Sequence, residues 1–154
     1  MNWNDEGLLL SVNPHGEKSA IIQVLTKTKG IHAGIIQNAF SRKMSSTIQP
    51  SNQLYLNWSS RLEEHLGTYK VDLLKTRVDI LLRNKLALDT FNSLSSLCIS
   101  TLAERDPMPE FYEMTIKFLD QIVSQKKWEF LYLDWELQLL TSIGYGLDLN
   151  KCVA

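Results

Sequence analysis

Ala20-Ile-Ile-Gln-Val-Leu-Thr26, Lys27-Thr-Lys-Gly30 and Ile31-His-Ala-Gly-Ile-Ile-Gln37 form one unbroken stretch. Two runs of β-branched and apolar residues flank a short polar segment that ends in Gly, the pattern of two strands and a turn. Gly34 inside the second run reads as a bulge or sharp bend, the device that lets a small sheet curl into a barrel. Working outward, Leu8-Leu-Leu-Ser-Val12 is a short strand between Gly7 and the turn residues Asn13-Pro14-His15-Gly16. On the other side, Asn38 to Pro50 is a polar loop that sets Phe40 beside Arg42 and Lys43. Gln53 to Trp58 alternates with Leu54, Leu56 and Trp58 on one face, and Gly67 to Leu73 alternates with Tyr69, Val71 and Leu73 inward. Five short strands punctuated by Gly fit an OB-type Greek-key barrel, and by periodicity alone an SH3-like barrel fits nearly as well.

From about Val78 the hydrophobic period becomes helical. Leu86, Ala87, Phe91, Leu94, Cys98 and Leu102 make one apolar stripe. Asp106-Pro107 predicts a helix start, with Asp as N-cap and Pro at the first helical position. Phe111, Thr115, Phe118 and Ile122 continue at helical spacing. A further helix runs from Trp128 to Ile143 with Leu133, Leu137 and Leu140 on one face, and Gly144 is placed to end it. The expected fold class is α+β: a five-stranded barrel over residues 1–77, then a small helical bundle over 78–154 that also packs on the barrel. Leu147 to Ala154 holds no closing element and reads as a chain cut short.

Charge divides the chain at the same place. The whole sequence carries 16 Lys and Arg against 17 Asp and Glu, but residues 1–77 carry nine against six and residues 78–154 seven against eleven. Lys18, Lys27, Lys29, Arg42, Lys43 and Arg61 fall in a window, residues 18–62, that holds no Asp or Glu. Positive charge concentrated on a compact barrel attracts a polyanion, with an acidic protein partner as the other reading. The expected DNA-binding set is Lys27, Lys29, Phe40, Arg42, Lys43, Arg61 and Lys70, a groove that would track a phosphate backbone. Phe40, Tyr55 and Tyr69 are the aromatics available to stack on bases, whereas Trp58, Phe91, Phe118 and Trp135 sit at core positions.

Most catalytic chemistry has no foothold. The sequence has no phosphate-cradling Gly-x-x-x-x-Gly-Lys-Ser/Thr, no Gly-x-Ser-x-Gly, no His-Glu-x-x-His and no Cys-x-x-Cys. His15, Glu17, Glu63 and His65 match no metal-site spacing and read as loop residues. Cys98 lies on an apolar helix stripe, where a buried, inert thiol is expected. No run of about 18 apolar residues is present, so no membrane span is expected. Two cysteines make no disulfide framework, and the acidic start Met1-Asn-Trp-Asn-Asp-Glu is no signal peptide, so the expected compartment is the reducing cytoplasm.

Several stretches together resemble a known family. Trp3-Asn-Asp-Glu-Gly-Leu-Leu-Leu10, His15-Gly-Glu-Lys-Ser-Ala20, Leu62-Glu-Glu-His-Leu-Gly-Thr68, Leu86-Ala-Leu-Asp89, Glu104-Arg-Asp-Pro107 and Gly144-Tyr-Gly-Leu-Asp-Leu149 followed by Cys152 are similar, in order, to the RecO family of recombination mediators. The resemblance implies an N-terminal OB-fold and a helical domain. It also implies a non-enzymatic protein of DNA repair and recombination that binds single- and double-stranded DNA and anneals complementary strands. With RecR, and in many bacteria RecF, such proteins help RecA displace single-stranded-DNA-binding protein, whose acidic C-terminal tail docks on the helical region. This places the work in the bacterial cytoplasm, at the nucleoid. Cys152 resembles the first cysteine of a C-terminal zinc knuckle, but one thiolate does not complete a site that needs about four ligands, so no cofactor is expected. The other reading is an adaptor that binds no DNA and docks RecR or the acidic tail through its helices.

Overall fold

The computed structural model describes residues 1–62, 64–124 and 127–147. Five strands, β1 (Asn2–His15), β2 (Ser19–Thr26), β3 (Gly30–Ile36), β4 (Gln53–Ser59) and β5 (Gly67–Lys75), close a barrel in the order β1-β2-β3-β5-β4. All neighbours run antiparallel except β3 and β5, which meet in parallel at Gly34–Gly67 and Ile35–Thr68. That order and that short parallel closure are the OB arrangement, so the choice between the two barrel types is settled by strand pairing. A helix, α1 (Arg42–Thr47), lies between β3 and β4. Four more follow: α2 (Val78–Arg83), α3 (Lys85–Thr101), α4 (Pro109–Ser124) and α5 (Glu129–Ser142).

The strand β1 is much longer than Leu8 to Val12. Its first half pairs with β4 (Asn2–Ser59 to Leu8–Gln53) and its second half with β2 (Gly7–Thr26 to His15–Ser19). Pro14 therefore sits within the strand opposite Ala20, and the turn falls on Gly16, whose φ is +70°. Gly7, read from sequence as a boundary, lies where the two pairings overlap. A Cβ there would come 2.4 Å from Val24 Cγ1, so the close approach requires glycine. Gly34 is likewise no bulge: its missing side chain makes room for the Tyr69 ring, 2.5 Å from where a Cβ would stand. The register shifts occur instead between Leu9 and Ser11 in β1 and between Gln53 and Leu54 in β4.

Two cores share β1. Leu9, Ile22, Val24, Leu54, Leu56, Trp58 and Tyr69 fill the barrel. Leu8, Leu10, Leu25 and Ile31 point outward and pack with Phe91, Leu94, Phe111, Phe118 and Trp135 of the helices. Leu8-Leu-Leu10 is continuously apolar because both faces of the strand are covered. The expected packing of helices on the barrel is thus present, and Ser95 Oγ reinforces it by donating to Leu10 O at 2.8 Å. Inside the helical half, Trp135 Nε1 donates to Thr115 Oγ1 at 2.9 Å.

Other details depart from the sequence pattern. The 38–50 loop contains α1, whose N-cap Ser41 accepts from Met44 N. Leu73 is 46% exposed because β5 runs past the barrel interior there. Leu86 and Leu133 are exposed, since α3 buries its stripe from Ala87 onward and α5 buries Trp135 and Leu139 instead. Asp106-Pro107 does not open α4, which starts at Pro109. Arg105 is left-handed (φ 61°) and donates its N–H to Ile31 O, so residues 104–106 are spent on the rim of the barrel. Gly144 does end α5, with φ +92° and the paired bonds Gly144 N to Thr141 O and Tyr145 N to Leu140 O. Glu63, Asp148, Leu149 and Cys152, and all but the first residue of the severed end expected at Leu147 to Ala154, lie outside the described residues.

The junction is held by a buried cation. Arg77, 2% exposed, donates to Asp120 of α4 (Nε 2.9 Å, Nη2 2.7 Å) and to Gln53 Oε1 at 3.2 Å. Lys75 Nζ reaches the same Asp120 oxygen at 2.8 Å. Burial raises the Asp120 carboxyl, but the hydrogen bonds from Lys75 and Arg77 outweigh it and hold the group below its ordinary 3.8. Asp120→Ala leaves the guanidinium buried and unpaired. A loss on the order of 2 kcal/mol is expected in urea unfolding, less than for a fully buried pair because Asp120 faces solvent on one side. Arg77→Met, which keeps the apolar stem, should lose less. Because the folded carboxyl is depressed, this contribution is present above pH 3.8 and fades as pH falls through the lower folded value, so the gap between Asp120→Ala and the parent should close in acid.

Candidate nucleic-acid interface

The seven expected contact residues do not share one groove. Lys27, in the β2–β3 turn, is bound by two carboxylates: Glu6 Oε1 at 2.9 Å and Glu113 Oε1 of α4 at 2.7 Å. These contacts, Glu113 first, raise its pKa well above the usual lysine value. Lys27 therefore acts as a clasp between barrel and helices. Phe40, 50% exposed, lies just before α1, which carries Arg42 and Lys43. That helix is tied to the Gln53 end of β4 through Asn52, whose Nδ2 donates to Thr47 O at 2.9 Å. Six residues of strand, about 20 Å, separate that end from Ser59.

Lys29, Arg61 and Lys70 belong to the Ser59 end. Three adjoining concavities open there. One of about 230 Å³ is lined by Trp3, Lys29, His32, Trp58 and Arg105. Another of about 500 Å³ is lined by Asn2, Asn4, Asn57, Trp58 and Lys70. A third of about 410 Å³ is lined by Ser59, Arg61, His65 and Thr68. The first two meet at Trp58 and the last two at Ser59. No carboxylate is among the described residues that line them. Lys29, Arg61, Lys70 and Arg105 make no ion pair among the described residues, although Asp5, bonded to the turn that carries Lys29, and Glu104 and Asp106, on the rim segment that carries Arg105, lie close by.

Local structure fixes this end. Thr28 donates its N–H and its hydroxyl to Asp5 Oδ2 (2.8 and 2.9 Å), which pins the turn carrying Lys29. Gly30 (φ +69°) lets the 104–107 segment lie against that turn, since a Cβ there would meet Asp106 O at 2.2 Å. Trp3 stacks on Trp58 (centroids 5.5 Å, 17°), and the His32 ring stands edge-on to both, at 5.0 and 4.9 Å. Burial lowers the His32 pKa below 6.5, with Arg105 and Lys29 adding to the fall. Tyr69, weighed as a stacking platform, is 2% exposed inside the barrel; burial also pushes its hydroxyl far above 10. Tyr55 remains partly exposed. Cys98 is buried, which pushes its thiol up to about 12. Among the described residues no group of three or more His, Cys, Asp or Glu is placed to hold a metal, and no helix is long and apolar enough to cross a membrane.

Trp3 and Arg105 line the same cavity as Lys29 but are not in the expected contact set. Both lie outside the acid-free window, though both belong to stretches that carried the family resemblance. Only the folded chain brings them together.

The family description "Recombination protein O N terminal" matches residues 1–77, and "Recombination protein O C terminal" matches residues 90–154. A DNA repair protein RecO from Ruegeria sp. (strain TM1040) is 46% identical over 154 residues, covering 100% of this chain and 64% of the relative. Those from Dinoroseobacter shibae and Cereibacter sphaeroides are 41% and 42% identical over 152 residues, covering 99% of this chain and 63% of each relative. The chain thus spans somewhat under two thirds of the length of these relatives.

The enclosed His32 ring stays neutral until pH falls below its ordinary range, while an unfolded chain takes up the proton near 6.5. Stability should therefore decline as pH drops below 6.5, and an NMR titration should place the His32 midpoint under that value. A midpoint at or above 6.5 would show that the ring is not enclosed by Trp3, Trp58 and Tyr69.

Proposed function

The chain belongs to the recombination protein O family, a family of DNA repair and recombination, and we propose that within it this chain binds DNA without reading sequence and promotes annealing of complementary strands. The observation that supports this most is the Ser59 end, where Lys29, Arg61, Lys70 and Arg105 line adjoining concavities whose described lining residues include no carboxylate. Phosphates of two strands brought to such a surface repel each other less, and pairing is faster. The described residues that line it come from strands and loops and not from a helix, so the contacts position the backbone and carry no sequence code. We read no covalent chemistry into the site.

Docking of RecR, assistance to RecA and capture of the acidic tail of single-stranded-DNA-binding protein belong to the same proposal, with the cytoplasm and nucleoid as the place of work. The seat we read for a tail lies between α4 and α5, a cavity of about 180 Å³ lined by Met114, Phe118, Leu131 and Trp135 with Lys117 as its one cation and Asp134 as an opposing carboxylate. The adaptor reading draws on the helical half instead, where Phe130 is 83% exposed and acids outnumber bases.

Fluorescence anisotropy of a labelled single-stranded oligonucleotide at several salt concentrations separates the two readings. Each phosphate neutralised contributes about −0.7 to the slope of log affinity against log salt for a single strand. The triple variant Lys29→Ala, Arg61→Ala, Lys70→Ala should flatten the slope by about 2, whereas Lys27→Gln should leave it unchanged. Arg42→Ala with Lys43→Ala should matter only for oligonucleotides long enough to run the ~20 Å between barrel ends. Adding the complementary strand should show faster annealing. No binding at low salt would reject the DNA reading and favour the adaptor.

A further inference from the structure

The cavity at Trp3 has a composition that backbone contacts alone do not call for. A phosphate-tracking surface needs cations and little else, yet this hollow is walled by two indoles and an imidazole as well as by Lys29 and Arg105. Of the stacked pair, Trp58 is buried while Trp3 is only partly so, and it is Trp3 that reaches solvent. Arg105 is held at a left-handed φ of 61°, uncommon outside glycine, by its N–H bond to Ile31 O and by the bridge between Ile31 and Glu104. The chain thus accepts local strain to bring a helical-half arginine to the rim of the barrel. At about 230 Å³ the cavity is smaller than the ~300–1,000 Å³ of pockets for drug-sized ligands, a size suited to one ring system and not to a run of them.

We infer that this cavity receives one unpaired nucleotide, its base against Trp3 and its phosphate between Lys29 and Arg105. The inference rests on the DNA-binding reading and adds a selectivity to it. A base stacked and paired in a duplex cannot present its face to Trp3, whereas an unpaired base can. The cavity therefore favours single over double strands without distinguishing sequence, since every base has a stacking face. The nucleotide is either a strand terminus or one turned out of an internal position, and the chemistry of recognition is the same for both.

Indole resonances of the ¹⁵N-labelled protein, recorded with a deoxythymidine oligonucleotide, test this directly. Trp3 and Trp58 signals should shift, and those of Trp128 and Trp135, in the helical half, should not. Trp3→Leu should weaken single-strand binding about tenfold while duplex affinity stays within about twofold. Arg105→Asn, chosen because Asn tolerates the left-handed backbone, should act in the same direction if Trp3→Leu folds poorly. A circular single strand that competes as well as a linear one points to internal nucleotides, and a linear strand that competes better points to termini; either result supports the cavity. Oligonucleotide binding seen by anisotropy with unmoved Trp3 and Trp58 signals would overturn the inference and leave the DNA-binding reading intact. Loss of single- and double-strand affinity in equal measure in Trp3→Leu would do the same. Absence of any binding at low salt would remove both.

Discussion

The guanidinium of Arg77 is withdrawn from water where β5 gives way to α2, and a charge so placed tolerates few alternative arrangements. Its partners come from both halves: Gln53 on the barrel and Asp120 on α4. Gln53 Nε2 in turn donates to the Tyr112 hydroxyl at 3.2 Å, so a chain of polar contacts crosses the seam between barrel and helices. Apolar contacts there are strong but non-directional. The ion pair and its hydrogen bonds supply the direction, and sliding α4 by one turn along the barrel would leave a buried charge unpaired. The clasp of Lys27 with Glu6 and Glu113 acts at a second point of the same seam, so α4 is fixed at two places.

Fixing α4 also fixes what precedes it. Residues 104–107 run from α3 to α4 across the barrel rim, and their position decides where Arg105 stands. Gly30, Arg105 and the Ile31–Glu104 bridge depend on one another: the glycine removes the atom that would block Asp106, and the backbone bond to Ile31 then sets the strained residue. The charged surface at the Ser59 end is thus a product of both halves, although three of its four cations belong to the barrel.

Counting cations along the chain is a poor guide to that surface. Lys27 and Lys29 are two residues apart, yet one is neutralised by two carboxylates and the other lines a carboxylate-free cavity. Glu113, which helps to take Lys27 out of play, is 86 positions away and reaches it only because α4 packs there. Conversely Arg105, from a half in which acids outnumber bases, supplies a cation to the surface that the acid-free window only partly describes.

The sequence by itself determined the local facts: the strands between Ala20 and Ile36, the alternation of Leu54, Leu56 and Trp58, the apolar stripe from Ala87 to Leu102, the Gly144 stop, the core placement of Trp58, Phe91, Phe118 and Trp135, and the family. These follow from periodicity and turn chemistry, which act between near neighbours. The two-sided burial of β1 was present in the letters of Leu8-Leu-Leu10 but could not be told from an ordinary apolar run. Tertiary structure alone decided that Gly7 and Gly34 are sites of close approach, that Tyr69 is core and no stacking platform, and that Asp106-Pro107 lies on the barrel rim. It also decided which basic residues stand together and which are already engaged. Electrostatic neighbours are set by distance through space, and in a closed barrel with helices packed on its outer face that distance bears little relation to separation along the chain.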